Sequence, residues 1–339
     1  MNITCRACRQ VIGVHGTKII YVTIDENKFN ENQNVNKLYT NEMGSNMGHK
    51  AGFVNIIGNP NVGKSTLMNT LVGEKLSIIT SKAQTTRHRI MGIVSGEGFQ
   101  IVYSDTPGII EPHYKLHQKM MRFIDSALED ADIILYVTDT KETYDKHESY
   151  IERLKNTDVP VILIVNKIDI TRDEEVEEVM NKWQNLLPKA DVMPASGLKG
   201  HNLLAVFDRI LELLPENPPY YSKDALTDKP ERFFVAEIIR EKIFKHYKKE
   251  IPYSTDVQID EFKDEENIIR VRATIAVLRR SQKGILIGDK GKALKKVGMH
   301  AREDLEAIYN KKVFLDLYVK IQKDWRDKEG FLRSSGYTE

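Results

Sequence analysis

The stretch Gly58-Asn-Pro-Asn-Val-Gly63-Lys64-Ser65 constrains this chain more than any other feature, because of what flanks it: the apolar run Phe53-Val-Asn-Ile-Ile57 before, and a helical pattern through Leu67 and Leu71 after. Strand, glycine-rich turn and helix in that order form the context in which a phosphate-binding loop works. Glycines let the backbone turn its N–H groups inward around phosphate oxygens, and the following helix presents its positive end. On this reading Gly58, Asn59, Pro60, Asn61, Val62 and Gly63 wrap the phosphates. Lys64 supplies a cation to the β- and γ-phosphates, Ser65 offers its hydroxyl to Mg²⁺, and Thr66 continues the contact into the helix.

Two later segments narrow the ligand. Ile101-Val-Tyr-Ser-Asp105-Thr106-Pro107-Gly108 reads as a buried strand ending in a carboxylate suited to hold Mg²⁺ through water, with the Gly108 N–H available to the γ-phosphate. Val161-Ile-Leu-Ile-Val165 is a fully apolar strand of the kind buried in a parallel sheet, and it runs into Asn166-Lys167-Ile168-Asp169. A carboxylate at Asp169 accepts from the N1–H and exocyclic amine of guanine. Adenine has neither donor there, and a carboxylate left unpaired on the wrong base is costly. The chain therefore reads as a guanine-nucleotide protein rather than an ATPase or kinase.

These segments resemble the translation-factor-like GTPases, and within them the Era family of ribosome-assembly GTPases, from about Ala51 to the C-terminus. The resemblance implies GTP hydrolysis with GTP/GDP and Mg²⁺ as cofactors. It also implies a role for Lys82-Ala-Gln-Thr85-Thr86-Arg87-His88-Arg89 as switch I, with Thr86 closing on Mg²⁺, so that Lys64, Thr86 and Gly108 form the expected catalytic set. The base-carbonyl contact falls to backbone amides around Ser196 and Gly197 in Met193-Pro-Ala-Ser-Gly197, where the family usually has Ser-Ala. Asn61 matches an asparagine that ligates potassium in related GTPases; a turn-stabilising Asn after Pro60 is the equal alternative. Ile109 follows Gly108 where Ras-like switches carry a water-orienting glutamine, so intrinsic hydrolysis is expected to be slow. An RNA-binding assembly factor with little turnover of its own is the alternative that this residue keeps open.

Pro215-Glu-Asn-Pro-Pro219-Tyr-Tyr221 breaks helix repeatedly and reads as a linker. Beyond it the pattern is helix from Arg232 to Tyr247, strands at Val257–Phe262 and Ile269–Val277, two helices, and a strand at Val313–Val319. Between the two later helices sits Gly288-Asp289-Lys290-Gly291. In KH domains such a loop lets a nucleic-acid backbone approach closely, and a basic residue within it meets phosphate. Arg279 to Arg302 holds eight Lys/Arg against the single acidic Asp289, a net +7. Charge so one-sided favours phosphate over a merely solvated face. Lys283, Gly288, Asp289, Lys290, Gly291, Lys292 and Lys295 are the expected RNA-binding residues. Leu294, Val297, Ala301, Leu305 and Ile308 mark the core face of the second helix. Trp325 reads as a core aromatic in preference to a base-stacking one.

The expected architecture is thus α/β, a P-loop NTPase with a Ras-like mixed sheet flanked by helices, followed by an α+β type II KH domain. Residues 1–49 are expected to form a poorly ordered extension, 50–216 the GTP-binding domain, 217–229 the linker and 230–339 the KH domain. A single P-loop separates the chain from Der, a related family with two consecutive GTPase domains. Family resemblance further implies the 3′ end of 16S ribosomal RNA and the small ribosomal subunit as partners, a monomer, and a cytoplasmic location with peripheral contact at the inner membrane as a further option.

Globally the 50 basic and 49 acidic residues nearly cancel, so the partner is legible only in how charge is distributed. The two cysteines, Cys5 and Cys8, both fall in the first ten residues; they could form half of a zinc site, but no second Cys/His pair of matching spacing follows. Met43 and Met47 precede the first convincing strand, and either is a candidate translation start.

Overall fold

The computed structural model describes residues 10–14, 19–22, 48–142 and 148–337. Cys5, Cys8, Met43 and Met47 lie outside the described residues. Within the N-terminal stretch, β1 (Gln10–Val14) and β2 (Ile19–Val22) pair antiparallel.

Chain contacts divide the described residues into two units. The first takes residues up to 77, 89–109 and 124–228; the second takes 78–88, 110–123 and the chain from 229 onward.

In the first unit, β3 (Lys50–Ile57), β4 (Ile90–Gly96), β5 (Phe99–Asp105), β6 (Ile133–Asp139), β7 (Val161–Asn166) and β8 (Asp191–Pro194) form one sheet in the order β4-β5-β3-β6-β7-β8. Only the β4–β5 pair is antiparallel. Every residue of β5, β6 and β7 is buried, which is why β6 and β7 open on continuous apolar runs rather than alternating ones. Parallel pairing puts the C-terminal ends of β3, β5, β6 and β7 on one edge, where open α/β sheets bind ligands. The helices are α1 (Lys64–Val72), α2 (Lys115–Glu129), α3 (Glu148–Asn156), α4 (Asp173–Leu186) and α5 (Leu203–Leu213).

The stretch that the sequence reads as a linker is hydrogen-bonded onto this sheet. Ala51 N donates to Pro215 O (3.1 Å), Asn217 N to His49 O (3.1 Å) and Ile93 N to Leu226 O (2.8 Å). Gln100 Nε2 donates to Tyr221 O, and its Oε1 accepts from the amides of Tyr220 and Tyr221. The prolines stop a helix from forming, and the free backbone groups are satisfied by the sheet margins instead.

The second unit runs α6 (Glu231–His246), β9 (Thr255–Asp264), β10 (Ile268–Val277), α7 (Arg280–Ile287), α8 (Lys292–Tyr309), β11 (Lys312–Ile321) and α9 (Glu329–Ser334). Its sheet has the order β11-β10-β9, with β10 parallel to β11 and antiparallel to β9. This is the element order expected of a type II KH domain. Val297, Ala301 and Leu305 are buried, but Ile308 is 61% exposed, against expectation. The buried residues step by four, so the row continues to Tyr309, which packs on the core, and Ile308 turns to solvent. Trp325 is fully buried and donates from Nε1 to Ser254 O at 3.0 Å, as a core aromatic should.

Candidate functional site

At the end of β3 the backbone turns through conformations that only glycine tolerates. Gly58 has φ +149°, and a Cβ there would sit 2.1 Å from Val137 O; Gly63 has φ +100°, and its Cβ would meet Asn166 Nδ2 at 2.3 Å. Gly63 is also the N-cap of α1 and provides no side-chain cap, so the helix's positive end faces the turn uncovered. Lys64 folds back along the loop, its Nζ donating to Gly58 O and Asn59 O, each at 2.9 Å. Burial pulls its pKa down to about 8, with Asp105 and Glu142 opposing that shift. An ammonium buried this way gains by meeting a phosphate anion.

Ser65 Oγ donates to Asp105 Oδ2 at 2.6 Å, so the hydroxyl and carboxylate expected at the metal come from α1 and β5 to one place. These are hard oxygen donors of the kind that Mg²⁺ takes. Thr106 Oγ1 donates to Ile56 O (2.8 Å) and fixes the Asp105–Gly108 turn against β3. Gly108 approaches Pro60 so closely that a Cβ would lie 2.8 Å away, and Ile109 N donates to Gly58 O at 3.3 Å. The second glycine turn therefore lies directly on the first.

The segment at the end of β7 is tied to the same loop. Asn166 Nδ2 donates to Val62 O (2.7 Å), its Oδ1 accepts from Gly197 N (2.9 Å), and Lys167 Nζ donates to Asn61 O (2.6 Å). Asp169 Oδ1 accepts from Ser196 Oγ at 2.6 Å. Asn166 and Lys167 thus fix Asp169, the expected base reader, relative to the phosphate loop. The amides assigned to the base carbonyl are differently engaged: Ser196 N donates to His201 O and Gly197 N to Asn166. Ser196 instead places its side-chain hydroxyl on Asp169.

Two residues of this site escaped the sequence reading. Asp139 accepts from Lys167 Nζ at 2.6 Å and holds it over Asn61. It ends the apolar strand β6 just as Asp105 ends β5, and that signal could have identified it. Glu142 accepts from Asn59 and Thr138, and burial raises its carboxyl pKa. No sequence pattern marks it.

Thr86 lies in the segment 78–88, whose contacts fall within the second unit. There Arg87 donates to the carbonyls of Thr255 (2.8 Å), Pro252 (3.1 Å) and Tyr253 (3.3 Å), lies over the Trp325 ring, and is 4.0 Å from Asp256. Arg240 donates to Thr85 O, and Lys82 to Phe244 O and Tyr247 O. His88 stacks on Tyr337 with ring centroids 4.2 Å apart, and burial first, then Arg240, Lys229 and Arg87, hold its pKa far below the usual histidine range.

The Gly-x-x-Gly turn joins α7 to α8. Gly288 (φ +71°), Lys290 (φ +47°) and Gly291 (φ +80°) are all left-handed. A Cβ on Gly288 would meet Ala293 at 2.6 Å, whereas one on Gly291 would meet nothing within 4 Å. Asp289, Lys290, Lys292 and Lys295 are exposed, and Lys283 Nζ lies 5.2 Å from the centre of the Tyr318 ring. The loop thus offers bare backbone amid cations.

Comparison with known proteins agrees with this geometry. Residues 53–167 match the family described as 50S ribosome-binding GTPase, and residues 250–326 match the KH domain family. GTPase Era of Staphylococcus haemolyticus is 45% identical over 86% of this chain and 98% of its own length. The Staphylococcus epidermidis protein is 43% identical over the same shares. Two crystal structures superpose with TM-score 0.82 at 39% identity, covering 86% of this chain and all of theirs. One is a variant of Aquifex aeolicus Era bound to GDP·AlF4−; the other is Era with MgGDPNP and nucleotides 1506–1542 of 16S ribosomal RNA.

Proposed function

We propose, from the premise that this chain belongs to the GTPase Era family, that it uses GTP binding and hydrolysis to time its grip on the 3′ end of 16S ribosomal RNA during small-subunit assembly. The chain is a GTP-hydrolysing enzyme. The observation that carries the reading is the hydrogen-bonded link from the phosphate loop to the base segment: Asn166 to Val62, Lys167 to Asn61, and Asp169 to Ser196. A triphosphate and a guanine presented to these groups are bound at a fixed separation.

On this reading Lys64 meets the β- and γ-phosphates, Gly108 N–H meets the γ-phosphate, and Asp169 reads N1–H and the exocyclic amine. Ser65 would hold Mg²⁺ and Asp105 would hold it through water, Asn61 would be the potassium ligand, and Thr86 the switch threonine. Mg²⁺ bound there neutralises charge on the phosphate oxygens. Ile109 is 1% exposed and carries no hydrogen-bonding side chain. Water therefore gains no orienting partner from that position, and hydrolysis is slow until RNA or another group completes the site.

In the second unit, Gly288 and Gly291 admit the RNA backbone, and Lys283, Lys290, Lys292 and Lys295 neutralise it. The protein acts as a cytoplasmic monomer and reaches the inner membrane, where it does so, only peripherally. Among the described residues no helix is long and apolar enough to cross a membrane. Ultraviolet cross-linking of the full chain in cells, followed by sequencing of attached RNA, tests the reading. Reads should concentrate at the 16S 3′ end and fall markedly with Gly291→Asp; cross-links spread evenly over unrelated RNA would overturn it.

A further inference from the structure

The Gly-x-x-Gly loop is not the only cationic feature of the second unit. His246 closes α6 and His300 lies in the middle of α8, and His246 Nε2 is 2.6 Å from His300 Nδ1, with ring centroids 4.7 Å apart. Both rings are half-exposed. Lys292, Lys296 and His300 follow at intervals of four along α8, so they share one stripe about 12 Å long that begins at the loop.

The charged groups facing the pair are Lys242 and Lys245 from α6 and Lys296 from α8. Of the carboxylates on the two helices near the pair, Glu241 is engaged by Lys245 at 2.9 Å and Lys242 at 3.8 Å and Asp304 by Lys242, while Glu303, one turn beyond His300, is exposed. Lys296, which is exposed, pairs with no described carboxylate. An imidazole pair among such cations is poised for an anion.

We propose that His246 and His300, with Lys296 and Lys245, form a second phosphodiester site, which takes the RNA backbone after it leaves the Gly-x-x-Gly loop and takes up one proton as it binds. This rests on the RNA-binding reading given above. In the neutral pair one ring donates its N–H to the other. The remaining two nitrogens then present one donor and one acceptor, a poor match for a phosphate with only acceptors. One proton from solvent converts that acceptor to a donor, and the pair then presents two N–H groups to two phosphate oxygens. In the free protein, burial and the neighbouring His300, Lys296, Lys242 and Lys245 hold His246 below its ordinary range. A bound phosphodiester opposes those cations and favours the protonated pair, so affinity must rise as pH falls and be lost as pH climbs past the bound-state value.

The test is fluorescence anisotropy of a labelled single-stranded RNA carrying the 16S 3′-end sequence, titrated with full chain between about pH 6 and about pH 8, a range that spans histidine titration. Calorimetry in buffers of different ionisation enthalpy counts protons. For wild type we expect tighter binding at the lower pH, by at most about tenfold per unit for one proton, together with proton uptake. His300→Gln and His246→Gln should each abolish the pH slope and the uptake while keeping wild-type-like melting. Lys296→Ala should weaken binding and reduce the salt slope by about one.

An unchanged pH slope in both histidine variants overturns the proposal, as does binding without proton uptake. Gly291→Asp separates this from the underlying reading: if it weakens binding while the histidine variants behave as wild type, RNA recognition stands and the second site falls. If His300→Gln instead loses binding to phosphatidylglycerol vesicles while RNA affinity is unchanged, the occupant is a lipid headgroup and the RNA site is refuted.

Discussion

Each unit contains a glycine turn that ends in a left-handed glycine at the N-cap of a helix, Gly63 before α1 and Gly291 before α8. What surrounds them differs. A side chain at Gly63 would collide with Asn166 at 2.3 Å, while one at Gly291 would meet open space. Lys64 is 6% exposed and hydrogen-bonded to its own loop; Lys290 is exposed. The first turn is pre-organised by buried contacts on every side, which suits a ligand of one fixed shape. The second is an open backbone edge amid exposed cations, which suits a flexible polyanion. Disruption of the first should act nearly all-or-none, and of the second by degrees and with strong dependence on salt.

The largest effect should follow from Lys64→Ala. Removing the buried cation of the phosphate loop should lower GTP turnover by about a hundredfold or more, read as phosphate release, with RNA affinity retained. Wild-type-like turnover would break the contrast at its stronger end.

Asp169→Asn should come next. It exchanges an acceptor for a donor where xanthine carries a carbonyl, so GTP binding should weaken by about a hundredfold and XTP binding should improve. Persistent preference for GTP over XTP in competition would mean that Asp169 does not read the base.

The smaller effects belong to the open turn. Gly291→Asp should weaken RNA binding by about tenfold and flatten its salt dependence, since phosphate contacts are lost. Gly291→Ala, which adds only strain at positive φ, should cost about 1 kcal/mol of stability and leave the charge untouched. Equal RNA affinity in wild type and Gly291→Asp would leave the basic run from Arg279 to Arg302 to some other anion.

The two regions also differed in how much their sequence disclosed. Asp105 and Asn166 were legible because each ends an apolar buried strand, and a parallel sheet brings such ends to one edge. Asp139 sits at an equivalent end and was overlooked only because no familiar string follows it. Glu142 was not legible at all, because a loop carboxylate gains its role from the fold. In the second unit the helical period placed Val297, Ala301 and Leu305 correctly, but an assumed step of three at the end selected Ile308, where the observed step of four selects Tyr309. Residues 82–89 read as switch I of the nucleotide machinery, yet Arg87, Thr85 and Lys82 find their partners in the second unit. Side chains reaching carbonyls more than 150 residues away leave no local pattern to read.

On the proposed function, slow GTP hydrolysis in the first unit should respond to RNA held by the second. Multiple-turnover phosphate release by the full chain, with and without single-stranded RNA of the 16S 3′ end, tests it directly. Release should be slow alone, since Ile109 cannot orient water, and faster with RNA, a gain that should be lost in Lys64→Ala and reduced in Gly291→Asp. Release that stays the same whether or not RNA is bound would contradict it.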